Sequence, residues 1–424
     1  MTAPIEAADA EGTESPPSGA AARRQLGNTA GLVAGRAVAA ALSLGWMIVI
    51  TRTLEEGEVG VLSLGLTLAV ALSVLPDMGL PMIVTDHVAR DPTSTRALVR
   101  HVIRLRLLAS LFTAGLLVAM YRVGTSATLA VPILLAISIA ATAVHSTVTA
   151  ALRGLGTVVP DSVNEVASRA FVLAVGAWLL TSGRGIAAAA AVLAVADIAS
   201  AGVLLWVIHR RTTAGTAFPS TLVARRTVVP LAAALLVASL HTRIDVWLLA
   251  LLGSADDVAH YVVPARLAEG LLLPAGVAAA LVLALTSDAP DKVTRGRRAV
   301  RYVGAVAAVV AVASAALALL AGPVIETAFG ADYRGDADVL RLLCLAAVPS
   351  AMSVGLAPVV AILRRRALFR WVLVALLVNV AVNLALIPSH REVGAAWASV
   401  ASMSVAAFGM ITSALRPGRP EGAS

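Results

Sequence analysis

Residues 295–325 read RGRRAVRYVGAVAAVVAVASAALALLAGPVI, in which four arginines precede 24 residues without a charge. A helix needs about 20 apolar residues to cross a bilayer, so this stretch predicts a transmembrane helix that starts beside a basic loop. The stretch is too long and too uniformly apolar for a barrel strand. Eleven more apolar stretches predict further spans, at residues 28–50, 59–84, 105–120, 129–152, 163–181, 186–208, 228–252, 261–286, 339–363, 371–387 and 393–415.

The arginines are distributed unequally among the gaps between these twelve stretches. The even-numbered gaps and the two tails hold most of them. Positively charged loops are retained on the cytoplasmic side of a membrane. We therefore expect a multi-pass protein of the plasma membrane with both termini in the cytoplasm. The basic residues of the odd-numbered gaps are Arg52, Arg122, Arg184, Arg334 and Arg391.

The composition excludes several classes of function. Hydrophobic residues make up 59% and charged residues 14% of the chain, whereas soluble domains carry roughly 25% charged residues. The net charge of +8 lies in short loops, so we expect anionic lipids and not nucleic acid as neighbours. The lone Cys344 cannot form an internal disulfide, and no nucleotide-binding or metalloprotease motif is present. We expect no enzyme activity, no cofactor and no metal.

The use of basic residues also indicates a source. The chain has one lysine, Lys292, against 32 arginines, and alanine, valine and leucine dominate its apolar residues. These preferred residues have GC-rich codons. We therefore expect a bacterial protein from a GC-rich genome.

Short matches between the two halves predict an internal duplication. Six spans in each half give both halves the same orientation, with a cavity between two lobes. We expect an all-α polytopic membrane protein with a disordered tail (1–22), an N-lobe (23–211), a linker (212–227), a C-lobe (228–416) and a second tail (417–424). The matches, offset by 199, 199 and 211 residues, are Glu58-Val59 with Asp257-Val258, Thr95-Arg96 with Thr294-Arg295, and Leu152-Arg153 with Leu363-Arg364.

Charged side chains within the spans are the candidates for function, because a charge in lipid is costly. Arginines in both halves favour an anion in the cavity, since guanidinium groups hold phosphate oxygens well. The candidates for binding the substrate are Arg36, Arg169, Arg243 and Arg266. The candidates for coupling an ion or a proton are Asp197, Asp245 and His145.

Structural roles for these side chains stay open. Arg36 has no acidic residue in its own helix, so a partner on another helix and a role in binding substrate fit equally well. His145 also fits an interior residue with hydrogen-bond partners. The third stretch is short, and we expect three arginine side chains at its start to reach the lipid headgroups and extend it, those of Arg100, Arg104 and Arg106. Pairs at helical-neighbour spacing, which can satisfy each other, are Glu165 with Arg169, Arg266 with Glu269, His241 with Asp245, and Asn379 with Asn383.

Short motifs along nearly the whole chain resemble those of bacterial polysaccharide-biosynthesis flippases. These flippases belong to the superfamily of multidrug/oligosaccharidyl-lipid/polysaccharide exporters. The motifs are LGNT (26–29), TRTL (51–54), EVG (58–60), DMGLP (77–81), RID (243–245), ARLAE (265–269), FGADY (329–333) and VGAA (393–396).

The resemblance implies two six-helix lobes with alternating access, which carry undecaprenyl-pyrophosphate-linked oligosaccharides outward. Arg36 and Arg266 match arginines that matter for transport in the related lipid II flippases. A second arginine in the first span of those proteins has no counterpart in residues 39–44, and an extra pair of helices is absent. Both departures argue against lipid II itself as the substrate.

We therefore expect a flippase for a lipid-linked glycan. Its expected partners are that glycan, membrane lipids, and a polymerase or glycosyltransferases of the same pathway. One alternative is a cation-coupled drug or metabolite exporter of the same fold. Another is a membrane scaffold without transport, which would not need charges within the spans of both halves.

Overall fold

A computed structural model describes residues 19–125, 127–157, 159–212 and 236–416, and its described side chains begin at residue 37. These residues form helices and short connections, and they contain no β-strand. The helices are α1 (Gly19–Thr53), α2 (Glu56–Leu72), α3 (Val74–Asp77), α4 (Leu80–Arg90), α5 (Thr95–Gly124), α6 (Ala130–Gly154), α7 (Val159–Thr181), α8 (Ile186–Arg211), α9 (Ile244–Leu252), α10 (Ala255–Gly270), α11 (Leu273–Leu285), α12 (Lys292–Leu319), α13 (Ala321–Phe329) and α14 (Ala337–Leu415).

Several of these helices can cross a membrane. Seven helical segments of the described residues are long and apolar enough, and the bent pair of α10 and α11 makes an eighth. The last of the seven includes α14, which loses helical backbone angles at Arg364 and Arg391 and so consists of three consecutive helices. The predicted all-α polytopic membrane fold is confirmed.

Much of the predicted tails and linker lies outside the described residues. Residues 1–18, 213–235 and 417–424 lie outside the described residues. They include most of the first tail, all of the second tail, and the linker except residue 212. The division into two lobes, a linker and two tails therefore stays a prediction.

Corresponding helices of the two halves start and break at corresponding points. α2 starts at Glu56 and α10 at Ala255, which is the 199-residue offset seen in the sequence. α2 is capped by Ser73 and α10 by Leu271, which are 198 residues apart, and both residues have right-handed helical angles. This agreement supports the predicted duplication.

The second predicted span, residues 59–84, is not a single helix. Met78 and Gly79 have φ values of 44° and 71° and separate α3 from α4. Glycine adopts such left-handed angles without strain, which explains why the turn lies in the sequence DMGLP. In the other half, α10 and α11 are bent by 46°. Interrupted helices at matching positions are typical of transporter binding sites.

The two halves of the chain meet at one end of the bundle. One large apolar cluster takes residues from both halves, among them Ile50, Val258 and Phe329. Three further clusters each lie within one half, in residues 80–208, 282–414 and 275–351. The halves are therefore joined where the odd-numbered gaps lie, which we call the closed end, and each half packs on itself towards the opposite end.

Polar contacts also join the halves at the closed end. The Arg52 side chain donates from Nε to the carbonyl oxygen of Ala328 at 3.0 Å. His260 lies between carboxylates of both halves, with Nε2 3.4 Å from Glu56 and Nδ1 3.0 Å from Asp336. These contacts would have to break for the closed end to open.

Gly60 lets α2 and α10 approach each other at the closed end. A Cβ atom at residue 60 would lie 1.7 Å from the carbonyl oxygen of Ala255. We predict that Gly60→Ala forces the two helices apart and destabilises the protein by about 1–3 kcal/mol. The measurement is the melting temperature of the purified protein.

Gly202→Ala in α8 is the matched control. A Cβ atom at residue 202 meets no atom within 4 Å, so this variant should keep or slightly raise the melting temperature. Equal melting temperatures for the Gly60 and Gly202 variants would contradict the close contact between α2 and α10.

Candidate functional site

Polar side chains of the spans gather in two cavities. The N-cavity, about 460 Å³, lies between α4, α6, α7 and α8. The C-cavity, about 350 Å³, lies mainly between α9, α10 and α14, and Thr67 of α2 also lines it. The side chain of Arg36 lies outside the described residues. The other predicted site residues are Arg169, Asp197 and His145 in the N-cavity and Arg243, Asp245 and Arg266 in the C-cavity.

Asp161 on α7 is the centre of a hydrogen-bond network in the N-cavity. It accepts hydrogen bonds from Thr149 at 2.8 Å and from Arg153 at 3.1 Å. His145 lies beside it, with Nε2 3.3 Å from Asp161 and Nδ1 2.8 Å from the hydroxyl of Ser200. Both ring nitrogens of His145 thus have partners, as an interior histidine should.

The N-cavity contains more carboxylates than guanidinium groups. Asp197 accepts a hydrogen bond from Ser138. Glu165 and Arg169 form no ion pair with each other in the described part of the chain, although their spacing permits one. This cavity therefore offers hydrogen-bond acceptors as well as donors. Its charged lining consists of Asp77, Asp161, Glu165, Asp197, Arg153 and Arg169.

Arg106 does not reach the lipid headgroups, so the prediction was wrong for this one of the three arginines. Its side chain is 1% exposed and forms an ion pair with Asp77. It also donates to the Thr147 hydroxyl at 2.7 Å and to the Pro76 carbonyl at 3.0 Å. Because α5 already begins at Thr95, residue 106 lies three turns inside the helix, too far from its end to extend outward. The pair connects α5 to the interrupted span that contains α3.

Glu269 is shared by two arginines in the C-cavity. Arg243 donates to one carboxylate oxygen at 2.8 Å, and Arg266 donates to the other at 2.9 Å. The pair expected from the spacing of Arg266 and Glu269 is therefore formed, and Arg243 joins it. Arg243 lies where the helical residues 236–241 end and α9 begins, so a helix break positions its side chain.

The side chains that bond to Asp245 lie on other helices. Asp245 is buried and accepts hydrogen bonds from Tyr261 and from Ser399, the latter at 3.1 Å. The predicted hydrogen bond to His241 is not formed. His241 is 6% exposed, and neither ring nitrogen has a hydrogen-bond partner. His241 is therefore a buried polar side chain without a partner at the edge of the C-cavity.

Asn379 and Asn383 connect consecutive helices within α14. Asn383 donates to the side-chain oxygen of Asn379 at 2.8 Å, and Asn379 donates to the Ser402 hydroxyl at 3.2 Å. Both asparagines are buried. This is the packing role that their spacing allows.

Several residues of the cavities had no predicted role, among them Asp77, Asp161 and Thr67. Asp77 belongs to the motif DMGLP, but only the fold shows Arg106 beside it. Asp161 precedes the predicted span 163–181 and so was not counted among the charges within spans. Thr67 is a lone hydroxyl in an apolar stretch, and no sequence pattern distinguishes it.

Replacement of Arg106 tests the importance of its buried hydrogen bonds. We predict that Arg106→Gln lowers the free energy of unfolding by about 1–3 kcal/mol, because the Pro76 carbonyl and the Thr147 hydroxyl lose their buried donor, whereas Asp77 is 40% exposed. The control is Arg90→Gln, which removes an exposed pair with Asp86 and should cost about 0–1 kcal/mol. Denaturant titration of the purified variants measures both. Equal losses would contradict the interior position of Arg106.

Comparison with protein families gives one match. The family described as "Polysaccharide biosynthesis protein" matches residues 26–286. This segment includes both left-handed residues of the second span and the residues of the Arg243–Glu269–Arg266 cluster. No curated protein matches the chain.

Solved structures of transporters share the fold. The lipid II flippase MurJ in an inward closed conformation has a TM-score of 0.68 at 12% identity, over 90% of this chain and 87% of that chain. An inward-facing multidrug resistance MATE transporter has a TM-score of 0.68 at 15% identity, over 88% and 93% of the two chains. An outward-facing MATE structure has a TM-score of 0.55 at 14% identity, over 89% and 91%. These similarities support the all-helical fold described above.

Proposed function

Because the chain belongs to the polysaccharide biosynthesis protein family, we propose that it is a flippase that moves a polyprenyl-pyrophosphate-linked oligosaccharide across the bacterial plasma membrane. The main support is the presence of a polar cavity in each half, combined with a closed end where the halves meet. A multi-pass bundle with such cavities suits a substrate that has a polar headgroup and an apolar tail.

Alternating access of the two halves would move the headgroup. The headgroup enters from the cytoplasm between the halves, while the polyprenyl tail remains in lipid. Arg36, Arg169 and Arg266 are the proposed donors to the pyrophosphate. The halves then rock, and the closed end opens when contacts such as Glu56 with His260 break. The orientation rests on the arginine-rich even-numbered gaps.

The membrane potential can supply the driving force. Outward movement of negative charge follows an inside-negative potential, which contributes roughly 2.3 kcal/mol per charge per 100 mV. An ion gradient is therefore not required. Asp197, Asp245 and His145 remain the candidates for coupling a proton. They lie on both sides of the bundle, since Asp245 lines the C-cavity and the other two line the N-cavity.

A second candidate function is a cation-coupled exporter of drugs or metabolites. It is favoured by the lining of the N-cavity, where four carboxylates face two guanidinium groups. A cavity with more acids than bases suits a cationic substrate or a bound proton. The arginines that share Glu269 in the C-cavity favour the flippase instead.

Transport by the purified protein in vesicles tests the first proposal. The substrate is a fluorescent polyprenyl-pyrophosphate oligosaccharide, and an impermeant quencher measures the fraction that has crossed. We predict that Arg169→Ala and Arg266→Ala each reduce the rate at least tenfold, because each removes a donor to phosphate oxygens. Arg334→Ala is the control, since Arg334 is exposed and pairs with Glu326.

Two results would contradict the flippase. One is an unchanged rate in both arginine variants when the Arg334 control is also active. The other is a lack of lipid-linked glycan transport in vesicles that export a cationic dye along a proton gradient. The latter result would favour the cation-coupled exporter.

A further inference from the structure

Two buried polar side chains of the C-cavity have no hydrogen-bond partner. His241 is 6% exposed, and neither ring nitrogen is bonded. Thr67 is 2% exposed, and its hydroxyl is also unbonded. Both line the same cavity as Arg243 and Arg266. Because buried polar groups in proteins are nearly always hydrogen-bonded, two orphans facing one cavity indicate a ligand that completes them.

The acceptors of this cavity are already engaged. Both carboxylate oxygens of Glu269 accept from arginines. The carboxylate of Asp245 accepts from Tyr261, from Ser399 and from the backbone nitrogen of Val246. The carboxylates therefore have little capacity left for a ligand that donates hydrogen bonds.

The donors of the cavity are largely unused. Arg243 and Arg266 each give one nitrogen to Glu269, although a guanidinium group carries five N–H donors. The Thr67 hydroxyl donates to no atom, and a ring nitrogen of His241 can donate as well. A sugar hydroxyl needs an acceptor as well as a donor, and a cation needs acceptors. A phosphate group offers acceptors alone, so its chemistry matches this cavity.

We propose that the C-cavity binds a phosphate group through Arg243, Arg266, His241 and Thr67, with Glu269 holding the two arginines in place. The assignment of that phosphate to the lipid-linked substrate rests on the proposed flippase function. The site deepens that function, because it adds three donors to Arg266 and locates the phosphate within the C-terminal half.

Thr67 gives this site a role in coupling the two halves. It belongs to α2, whereas His241, Arg243 and Arg266 belong to the other half of the chain. Close by, the Ser239 hydroxyl donates to the carbonyl of Ala71 across the same boundary at 3.3 Å. A phosphate bound here contacts both halves and stabilises the arrangement in which they lie together. A ligand shifts a conformational equilibrium through such differential contacts.

Binding of inorganic pyrophosphate to the purified full chain, measured by calorimetry, tests this site. We predict that Thr67→Val and His241→Leu each weaken binding about tenfold, since a hydrogen bond to a charged group contributes about that factor. The same variants should keep or raise the melting temperature without ligand, because each removes a buried polar group that has no partner. Thr67→Ser keeps a hydroxyl at residue 67, so this variant should bind pyrophosphate as the wild type does.

A matched control and a second ligand sharpen the experiment. Thr113→Val removes a buried threonine hydroxyl of α5 that lines neither cavity, and it should leave binding unchanged.

Tighter binding of a short isoprenyl pyrophosphate than of inorganic pyrophosphate would assign the site to lipid-linked phosphate. Equal binding would assign it to free phosphate groups.

Failure of this proposal is distinguishable from failure of the flippase. The phosphate site would be overturned if both Thr67→Val and His241→Leu bound pyrophosphate with wild-type affinity. It would also be overturned if the wild type did not bind pyrophosphate. Neither result would contradict the flippase. A drop in melting temperature in both variants would also overturn the phosphate site, since this shows a structural role. Pyrophosphate binding without glycan transport would instead contradict the flippase.

Discussion

A charged group inside the hydrocarbon region of a bilayer has to find its partner within the protein or line a polar cavity, because lipid offers it no hydrogen bonds. Arg106 satisfies this requirement with Asp77, Thr147 and the carbonyl of Pro76. Glu269 satisfies it by accepting from Arg243 and Arg266. The same requirement forces the backbone into helices, whose hydrogen bonds are internal. The arrangement of charges and the all-helical fold thus follow from one property of the solvent.

The helices are interrupted at a few points, and these breaks lie next to the polar cavities. The left-handed residues Met78 and Gly79 follow directly after Asp77, which lines the N-cavity. In the C-terminal half, the bend between α10 and α11 follows Glu269, and Arg243 lies at the start of α9. A broken helix exposes backbone groups that lipid cannot satisfy, so a break is tolerated beside a polar cavity. In each half, the irregular backbone therefore lies at the candidate binding site.

The contact between the halves connects these sites to conformational change. The closed end joins the halves through an apolar cluster and through His260 and Arg52. Thr67 and Ser239 extend the contact towards the middle of the bundle, beside the C-cavity. A ligand in the C-cavity would therefore act on the boundary that has to move during transport. The N-cavity consists of residues of the N-terminal half, so a ligand there affects that boundary less directly.

The sequence by itself determined the membrane-spanning, all-helical class and the candidates Arg169, Arg243 and Arg266, because hydropathy and buried charge are local properties of a segment. It also showed the 199-residue offset that α2 and α10 share. Only the tertiary structure decided which charges are partners. Arg106 pairs with Asp77 and His241 bonds to nothing, since those outcomes depend on how separate helices pack. The position of Thr67 in a cavity of the opposite half also depends on packing. The polar residues that surround its hydroxyl come from distant parts of the chain, so the apolar stretch around residue 67 does not predict them.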